Sequence, residues 1–212
     1  MGQTVSCGIT LYYPSIDSLN HLYDYTLVFN KVYVFDNTEN YNDKEIIEML
    51  DKIKQIENIV YITYNKNLGL PKAFNEIIDL CKDDYLCTLD QDSYFPNKYI
   101  EQIKNILDCL NPNIAIIAPV IIYDEIDKEK IQLSNEIIDK RYLITSGSFL
   151  NLHIIKKEKI YYDEKYFIDK FEIDLCERLK RKNYRIVQYH ESKLYQKLGD
   201  SRHHGYSTHS AI

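Results

Sequence analysis

The segment Leu89-Asp90-Gln91-Asp92-Ser93 places two carboxylates one residue apart, directly after an apolar run. Carboxylates so spaced at a strand end suit a hard divalent cation, which prefers oxygen ligands. Such a cation bridges phosphate oxygens and offsets charge on a departing diphosphate. The pair alone is equally compatible with an Asx-capped turn. Asp36-Asn37 follows another apolar run. It suits a nucleobase edge or a ribose hydroxyl, or else simply ends the strand in an Asx turn. Asn67-Leu68-Gly69 turns into a helix on which Asn75 lies further along. Backbone amides at such a helix start suit a phosphate or a polar sugar group. From Phe167 onward, three acids, Asp169, Glu172 and Asp174, open another helix, with Glu177 further along it. The helix dipole alone favours acids there. An acid projecting from it into a cleft would serve as a general base.

The elements that must position these residues are legible from hydrophobic periodicity. Val5 to Leu11, Val32 to Phe35, Ile59 to Thr63, Tyr85 to Leu89 and Ile114 to Ile122 read as buried strands. Between them lie helical patterns: Ile16 to Tyr25, Asp43 to Gln55 capped by Asn42, Pro71 to about Leu80, and Pro96 to about Leu110. Strands alternating with helices predict an α/β fold with a mostly parallel central sheet flanked by helices. Ligands of such sheets bind beyond the carboxyl ends of the strands. Asp36-Asn37, Asn65 to Gly69 and Asp90 to Ser93 would therefore share one edge. The second half is less regular. Tyr123 to Lys130 reads as a charged loop. Tyr142 to Asn151 reads as a strand interrupted by Ser146-Gly147-Ser148. Ile173 to Lys182 reads as a helix and Tyr184 to Tyr189 as a last strand, with periodicity fading from Glu191.

In this order, strand-Asp36-Asn37, Asn67-x-Gly69 with Asn75, Leu89 to Ser93, Thr145-Ser146-Gly147-Ser148 and Phe167 to Leu179 resemble the family 2 glycosyltransferases of GT-A fold. The likeness is strongest to their rhamnosyltransferase branch and covers roughly Val5 to Ser210. It implies a single Rossmann-like domain over 1–212, with a nucleotide-sugar-binding half at 1–122 and an acceptor-binding half at 123–212. It also implies inverting sugar transfer from a nucleotide-sugar donor, dTDP-rhamnose or a UDP-sugar. The acceptor would be a hydroxyl of a cell-surface polysaccharide or lipid-linked oligosaccharide. By the same resemblance, Asp36 binds the base, with Asn37 beside it. Asp90 and Gln91 face the ribose, and Asp92 with Asp90 holds Mg²⁺ or Mn²⁺. Asn67, Gly69 and Asn75 line the donor pocket. Counted back from Arg178, Glu172 falls on the catalytic base, with Asp169 and Asp174 as alternatives. Relatives often carry a His-x-x-Gly element late in the domain, where this chain reads Gln196-Lys197-Leu198-Gly199. His190, His203 or His204 are candidates to replace the missing imidazole. Relatives also continue into a basic, aromatic segment, so the C-terminus reads as truncated.

Composition narrows the alternatives. The 212 residues carry a net charge of −6, which argues against a general nucleic-acid binder. No apolar run reaches the roughly 18–20 residues of a membrane span, and no secretory signal is visible. Met1-Gly2 with Ser6 meets the minimal myristoylation pattern, but Val5 leads straight into an apparent core strand. Five cysteines without CxxC spacing read as reduced thiols of a cytoplasmic protein. The resemblance adds peripheral association with the inner membrane face and is silent on oligomeric state. The 20 tyrosines, Tyr12-Tyr13 and Tyr161-Tyr162 among them, read as coding bias rather than as a sugar-stacking surface. A haloacid-dehalogenase-type phosphohydrolase also uses Asp-x-Asp, but after its first strand rather than its fourth. A GT-A-like module that binds nucleotide without turnover is the other alternative.

Overall fold

The computed structural model describes residues 2–123 and 134–196. Its first half runs β1 (Val5–Leu11), α1 (Ile16–Thr26), β2 (Val32–Asp36), α2 (Lys44–Ile53), β3 (Ile59–Thr63), α3 (Leu70–Leu80), β4 (Tyr85–Asp90), β5 (Ser93–Tyr94), α4 (Asn97–Leu107) and β6 (Ile114–Ile122). Then follow β7 (Ile137–Asp139), β8 (Ser148–Asn151), α5 (Leu152–Glu158), α6 (Phe171–Arg181) and β9 (Arg185–Gln196).

These strands form one sheet in the order β3-β2-β1-β4-β8-β6-β9-β5, with β7 paired to β9. The β3-β2-β1-β4 half is parallel. Beyond it β8 runs antiparallel to both β4 and β6, while β6 and β9 are parallel. Every residue of β1 is buried. That follows from its central place, with helices over both faces. Alternate side chains feed two apolar layers. Cys7, Ile9 and Leu11 pack with α1, α2 and α4. Phe35, Leu86 and Ile116 pack with α3, α5 and α6.

The sequence-based elements of the first half recur with small shifts. The cap of α2 is Asp43 rather than Asn42, because the Asp43 carboxylate accepts from the N–H groups of Glu45 and Ile46. The strand read across Tyr142 to Asn151 is confined to Ser148–Asn151, since Gly147 takes a positive φ of 80° just before it. The last strand continues past Glu191 to Gln196, pairing with β6 and β5. Helix α6 starts two residues earlier, at Phe171. The short β5, β7 and α5 are not foreseen by periodicity. The charged segment 124–130, the stretch Lys197-Leu198-Gly199, His203, His204 and the terminal segment 207–212 lie outside the described residues.

Four of the cysteines are buried and Cys109 is exposed, all as free thiols. Among the described residues no helix is long and apolar enough to cross a membrane.

Candidate active site

Parallel pairing sets the strand ends in register. Thr10 of β1 pairs with Asp90 of β4, and Leu11 with Asp36 of β2. Two carboxylates therefore flank the end of β1, one on each side. Gln91 locks this edge by exchanging hydrogen bonds with Tyr12. The Tyr12 N–H donates to Gln91 Oε1 at 2.8 Å, and Gln91 Nε2 donates to the Tyr12 carbonyl at 3.0 Å.

A cavity of about 650 Å³ opens above these ends. Asn37, Asp90, Gln91, Asp92, Asp169 and Glu172 all line it. Residues from both halves of the chain thus meet on one cavity. Asp36, Asn67, Gly69, Asn75 and Asp174 lie outside its lining, and each has a structural occupation. Asp36 is 1% exposed. Its carboxylate accepts from the Thr38 N–H at 2.9 Å and from the hydroxyls of Tyr41 and Tyr61. It borders a separate cavity of about 100 Å³ with Lys54 and Asn65. Asn67 Oδ1 accepts from the Gly69 N–H at 3.0 Å, an Asx turn. Gly69 starts α3 at φ 81°, and the next N–H, of Leu70, donates to the Phe167 carbonyl at 3.0 Å. Asn75 is buried and bonded to the backbone of Tyr162. Asp174 pairs with Arg178 Nε at 2.7 Å, one helical turn on.

These occupations carry the local logic of the site. Asn37 Oδ1 accepts from the Leu68 N–H at 3.0 Å, so the ends of β2 and of the β3–α3 loop meet as expected. The contact of Leu70 with Phe167 then brings the segment before α6 against that loop. Lys170 caps α6 in the left-handed region at φ 67°, a sparsely used conformation for a side chain of this size. The turn delivers both Asp169 and Glu172 to the cavity wall.

The Thr145-Ser146-Gly147-Ser148 segment buttresses Asp90 from behind. The Asp90 N–H donates to Ser146 Oγ at 3.2 Å, and Ser146 Oγ donates to Ser93 Oγ at 2.7 Å. Thr88 Oγ1 donates to the Thr145 carbonyl at 2.6 Å, while the Gly147 N–H donates to the Thr88 carbonyl at 2.7 Å. A Cβ at Gly147 would lie 2.8 Å from Leu194 Cδ1, so glycine lets this turn close on β9.

The electrostatics follow from burial of like charges. Burial pushes the Asp90 carboxyl up to about 7, reinforced by Asp92 and Glu172. Glu172 is raised by burial, partly offset by a hydrogen bond from its own backbone N–H, and raised further by Asp169. The Tyr123 hydroxyl is raised by burial and then by Asp90.

The donor set suits a hard cation in chemistry and count. Asp90 and Asp92 offer carboxylates on the same cavity. Gln196, at the position where the resemblance expects histidine, also lines it. Its Oε1 is buried without a hydrogen-bond partner. An orphaned amide oxygen beside two carboxylates fits an oxygen-preferring ion. Among the described residues no cluster of three His, Cys, Asp or Glu side chains is placed to hold a metal, and what those residues would offer is two acids and an amide. His190 lies outside the cavity lining.

Sequence reasoning misses Tyr12, Tyr123 and Ile168 as cavity residues. Tyr12 carries a usable signal, because it directly follows a buried strand whose carboxyl end neighbours that of β4. Ile168 and Phe167 are 58% and 55% exposed, unusual for apolar neighbours, and Ile168 lines the cavity.

A family model described as Glycosyl transferase family 2 matches residues 13–188. No curated protein matches. Among solved structures, GalNAc-T7 with UDP, GalNAc and Mn²⁺ superposes with a TM-score of 0.71 at 13% identity, over 92% of this chain and 44% of that one. Mannosyltransferase PcManGT from Pyrobaculum calidifontis, in complex with GDP-Man and Mn²⁺, gives 0.70 at 8% identity, over 95% and 59%. S. aureus TarS 1–349 with UDP gives 0.66 at 14% identity, over 92% and 60%. These identities speak to fold alone, and the fold is the GT-A arrangement. The chain spans about half the length of the solved structures it matches.

Proposed function

Because this chain belongs to glycosyl transferase family 2, we propose that it moves a sugar from a nucleotide-sugar donor to an acceptor hydroxyl with inversion at the anomeric carbon. The observation that carries this reading is the meeting of Asp90, Asp92 and Glu172, distant in sequence, on one cavity at the carboxyl ends of the strands. The donor half is 1–122 and the acceptor half 123–212.

Asn37 and Gln91 border the nucleoside end of the cavity, and Asp36 acts from its flank, holding the strand end on which Asn37 sits. Asn67, Gly69 and Asn75 shape the donor side through the backbone contacts above. Asp90 and Asp92, with the Gln196 amide oxygen, hold Mg²⁺ or Mn²⁺. Such an ion supplies charge stabilisation to the departing diphosphate.

Glu172 takes the proton of the acceptor hydroxyl as that oxygen attacks the anomeric carbon. The attack comes from the face opposite the leaving diphosphate, which inverts the centre. A carboxylate whose proton affinity is raised by burial and by Asp169 is a stronger base than a free one. Asp174 is committed to Arg178 and serves the helix instead. Asp169 remains as a charge partner of Glu172.

The donor that best fits the motif order is dTDP-rhamnose, with UDP-sugars next. The acceptor is a cell-surface polysaccharide or lipid-linked oligosaccharide, met at the inner membrane face. A thermal-shift panel of UDP-, dTDP- and GDP-sugars with and without Mn²⁺ tests this, since a ligand of the native state raises stability by mass action. A metal-dependent shift by one nucleotide class, with transfer from that donor, is the expected result. No shift with any donor would overturn the reading. Gln196 in place of histidine favours one second reading, a nucleotide-binding module without turnover. Binding without donor hydrolysis or transfer would establish it.

A further inference from the structure

A second cavity, of about 330 Å³, lies beside the first. Ile144 lines both, forming their shared wall. Tyr142 lines the second and Tyr123 the first, and the two hydroxyls are close enough to influence each other electrostatically. The floor of the second cavity is apolar, with Pro119, Ile121 and Leu143, and its polar lining is Gln188, Lys140 and Arg141.

The two cavities differ in charge. Among the described residues, the first is lined by Asp90, Asp92, Asp169 and Glu172 and by no cation. Among the same residues, the second is lined by two cations and by no acid. A third cation stands at the same rim, because Lys180 Nζ donates to the Lys140 carbonyl at 3.3 Å. Arg141 pairs with Glu177 at 3.3 Å, but its side chain is 81% exposed. Such a surface pair is weak enough to be exchanged for a better anion. Arg185, by contrast, is satisfied by two hydrogen bonds to Asp139 and contributes little net charge.

An acceptor approaching Glu172 from the second cavity meets opposite fields on the two sides of Ile144. An anionic substituent is repelled from the acid-lined cavity and attracted to the Lys140 and Arg141 rim. That disposition orients the acceptor, leaving a neutral hydroxyl facing Glu172. Resting on the transferase reading above, we propose that this second cavity is an acceptor subsite for an oxyanion, a carboxylate or phosphate borne by the sugar that receives the new linkage. Arg141 supplies planar two-pronged recognition and Lys140 a point charge. The apolar floor carries the sugar face.

The test is binding in EDTA, so that no metal offers the anions another site. Methyl β-glucuronide, glucose 1-phosphate and methyl β-glucoside are titrated by NMR against the wild type and against Lys140→Glu with Arg141→Glu. The expected result is that one or both anions bind at least about tenfold tighter than the glucoside, a difference of roughly 1.4 kcal/mol. The preference should fall at 0.5 M salt, where screening extends over only a few ångströms. It should vanish in the charge-reversed variant. The ranking of glucuronide against phosphate identifies which oxyanion the site takes. Lys140→Gln with Arg141→Gln, checked by thermal melting, guards against a folding defect and should remove the preference too. Equal binding of neutral and anionic sugars, or a preference that survives charge reversal, overturns the proposal. Donor turnover with Mn²⁺, measured separately, judges the transferase reading. Its absence beside an intact anion preference would sink that reading while leaving the anion site in place.

Discussion

Asn75 and Tyr162 exchange two hydrogen bonds across 87 residues of sequence: Asn75 Nδ2 donates to the Tyr162 carbonyl, and the Tyr162 N–H donates to Asn75 Oδ1, both at 2.9 Å. The side chain of α3 thereby replaces a strand partner for an irregular segment. That segment leads within ten residues to Glu172. Asn75→Ala leaves a buried N–H and carbonyl unpaired, and is expected to cost about 2–3 kcal/mol of stability. Denaturant melting measures the loss. Transfer should fall with it, and Asn75→Asp should lose at least as much, because it sets a buried carboxylate against the Tyr162 carbonyl and the Glu164 carboxylate that the Asn75 amide now donates to.

Gly69 is the other clamp on that segment. Its φ of 81° already disfavours a side chain, and an added Cβ would sit 2.8 Å from the Phe167 carbonyl oxygen. Gly69→Ala should destabilise the protein by at least about 1–2 kcal/mol. Because the neighbour is backbone, relief requires the segment that carries Ile168 to move. Donor affinity by calorimetry is therefore expected to weaken as well, and an unchanged affinity would show that this segment does not contact the donor.

Burial, with Asp92 and Glu172 beside it, pushes the Asp90 carboxyl up to about 7, against 3.8 as the ordinary value. Between those values the folded state holds a proton that the unfolded state has lost. Stability therefore falls as pH rises from about 4 to about 7, and then levels. Asp90→Asn removes this penalty. In EDTA it should melt a few degrees above the wild type at pH 8, a gain of roughly 1–3 kcal/mol. At pH 4 the gap should close. An equal shift at both pH values would mean that Asp90 is not the group responsible.

Glu172→Gln preserves size and hydrogen bonding but cannot accept the acceptor's proton. The expected loss in kcat is about 10²–10⁴-fold with donor affinity retained. Asp174→Asn, which touches Arg178 and not the cavity, should keep kcat within a few-fold. Wild-type turnover in Glu172→Gln would transfer the base role elsewhere, with Asp169 the next carboxylate on the cavity wall.

Asp92→Ala should weaken Mn²⁺-dependent nucleotide binding by at least about tenfold, because it removes one of the two acids proposed to hold the ion. Gln196→His is expected to act in the opposite sense, since imidazole is the better ligand for transition metals. Isothermal titration with Mn²⁺ and nucleotide reads both. A Gln196→His variant that binds no better would place the orphaned amide outside the coordination sphere.

Much of the site is legible in the chain. Asp90, Asp92 and Glu172 each sit at a strand end or helix start marked by hydrophobic period, and strand ends of an α/β sheet converge by construction. The roles of Asp36 and Asn75 are not legible in that way. Both are polar residues at promising positions, yet one is held by two tyrosine hydroxyls from residues 5 and 25 positions away. The other is held by backbone 87 positions away. A hydrogen-bond partner that distant leaves no local pattern. The short β8 and long β9 escape for a related reason. Gly147, at positive φ, breaks the first, and pairing with β6 and β5 extends the second where its own periodicity fades.

By itself, then, the sequence determines the alternation of strand and helix, the carboxylates at the strand ends and the family to which the chain belongs. These depend on period and on residues close in the chain. Tertiary structure decides which carboxylates face solvent in one cavity and which are bound to neighbours. It also decides that an acid-lined cavity shares the Ile144 wall with a cation-lined one. The physical reason is that burial, charge proximity and hydrogen-bond competition depend on distance in space, and here the deciding partners lie on segments that only the folded sheet brings together.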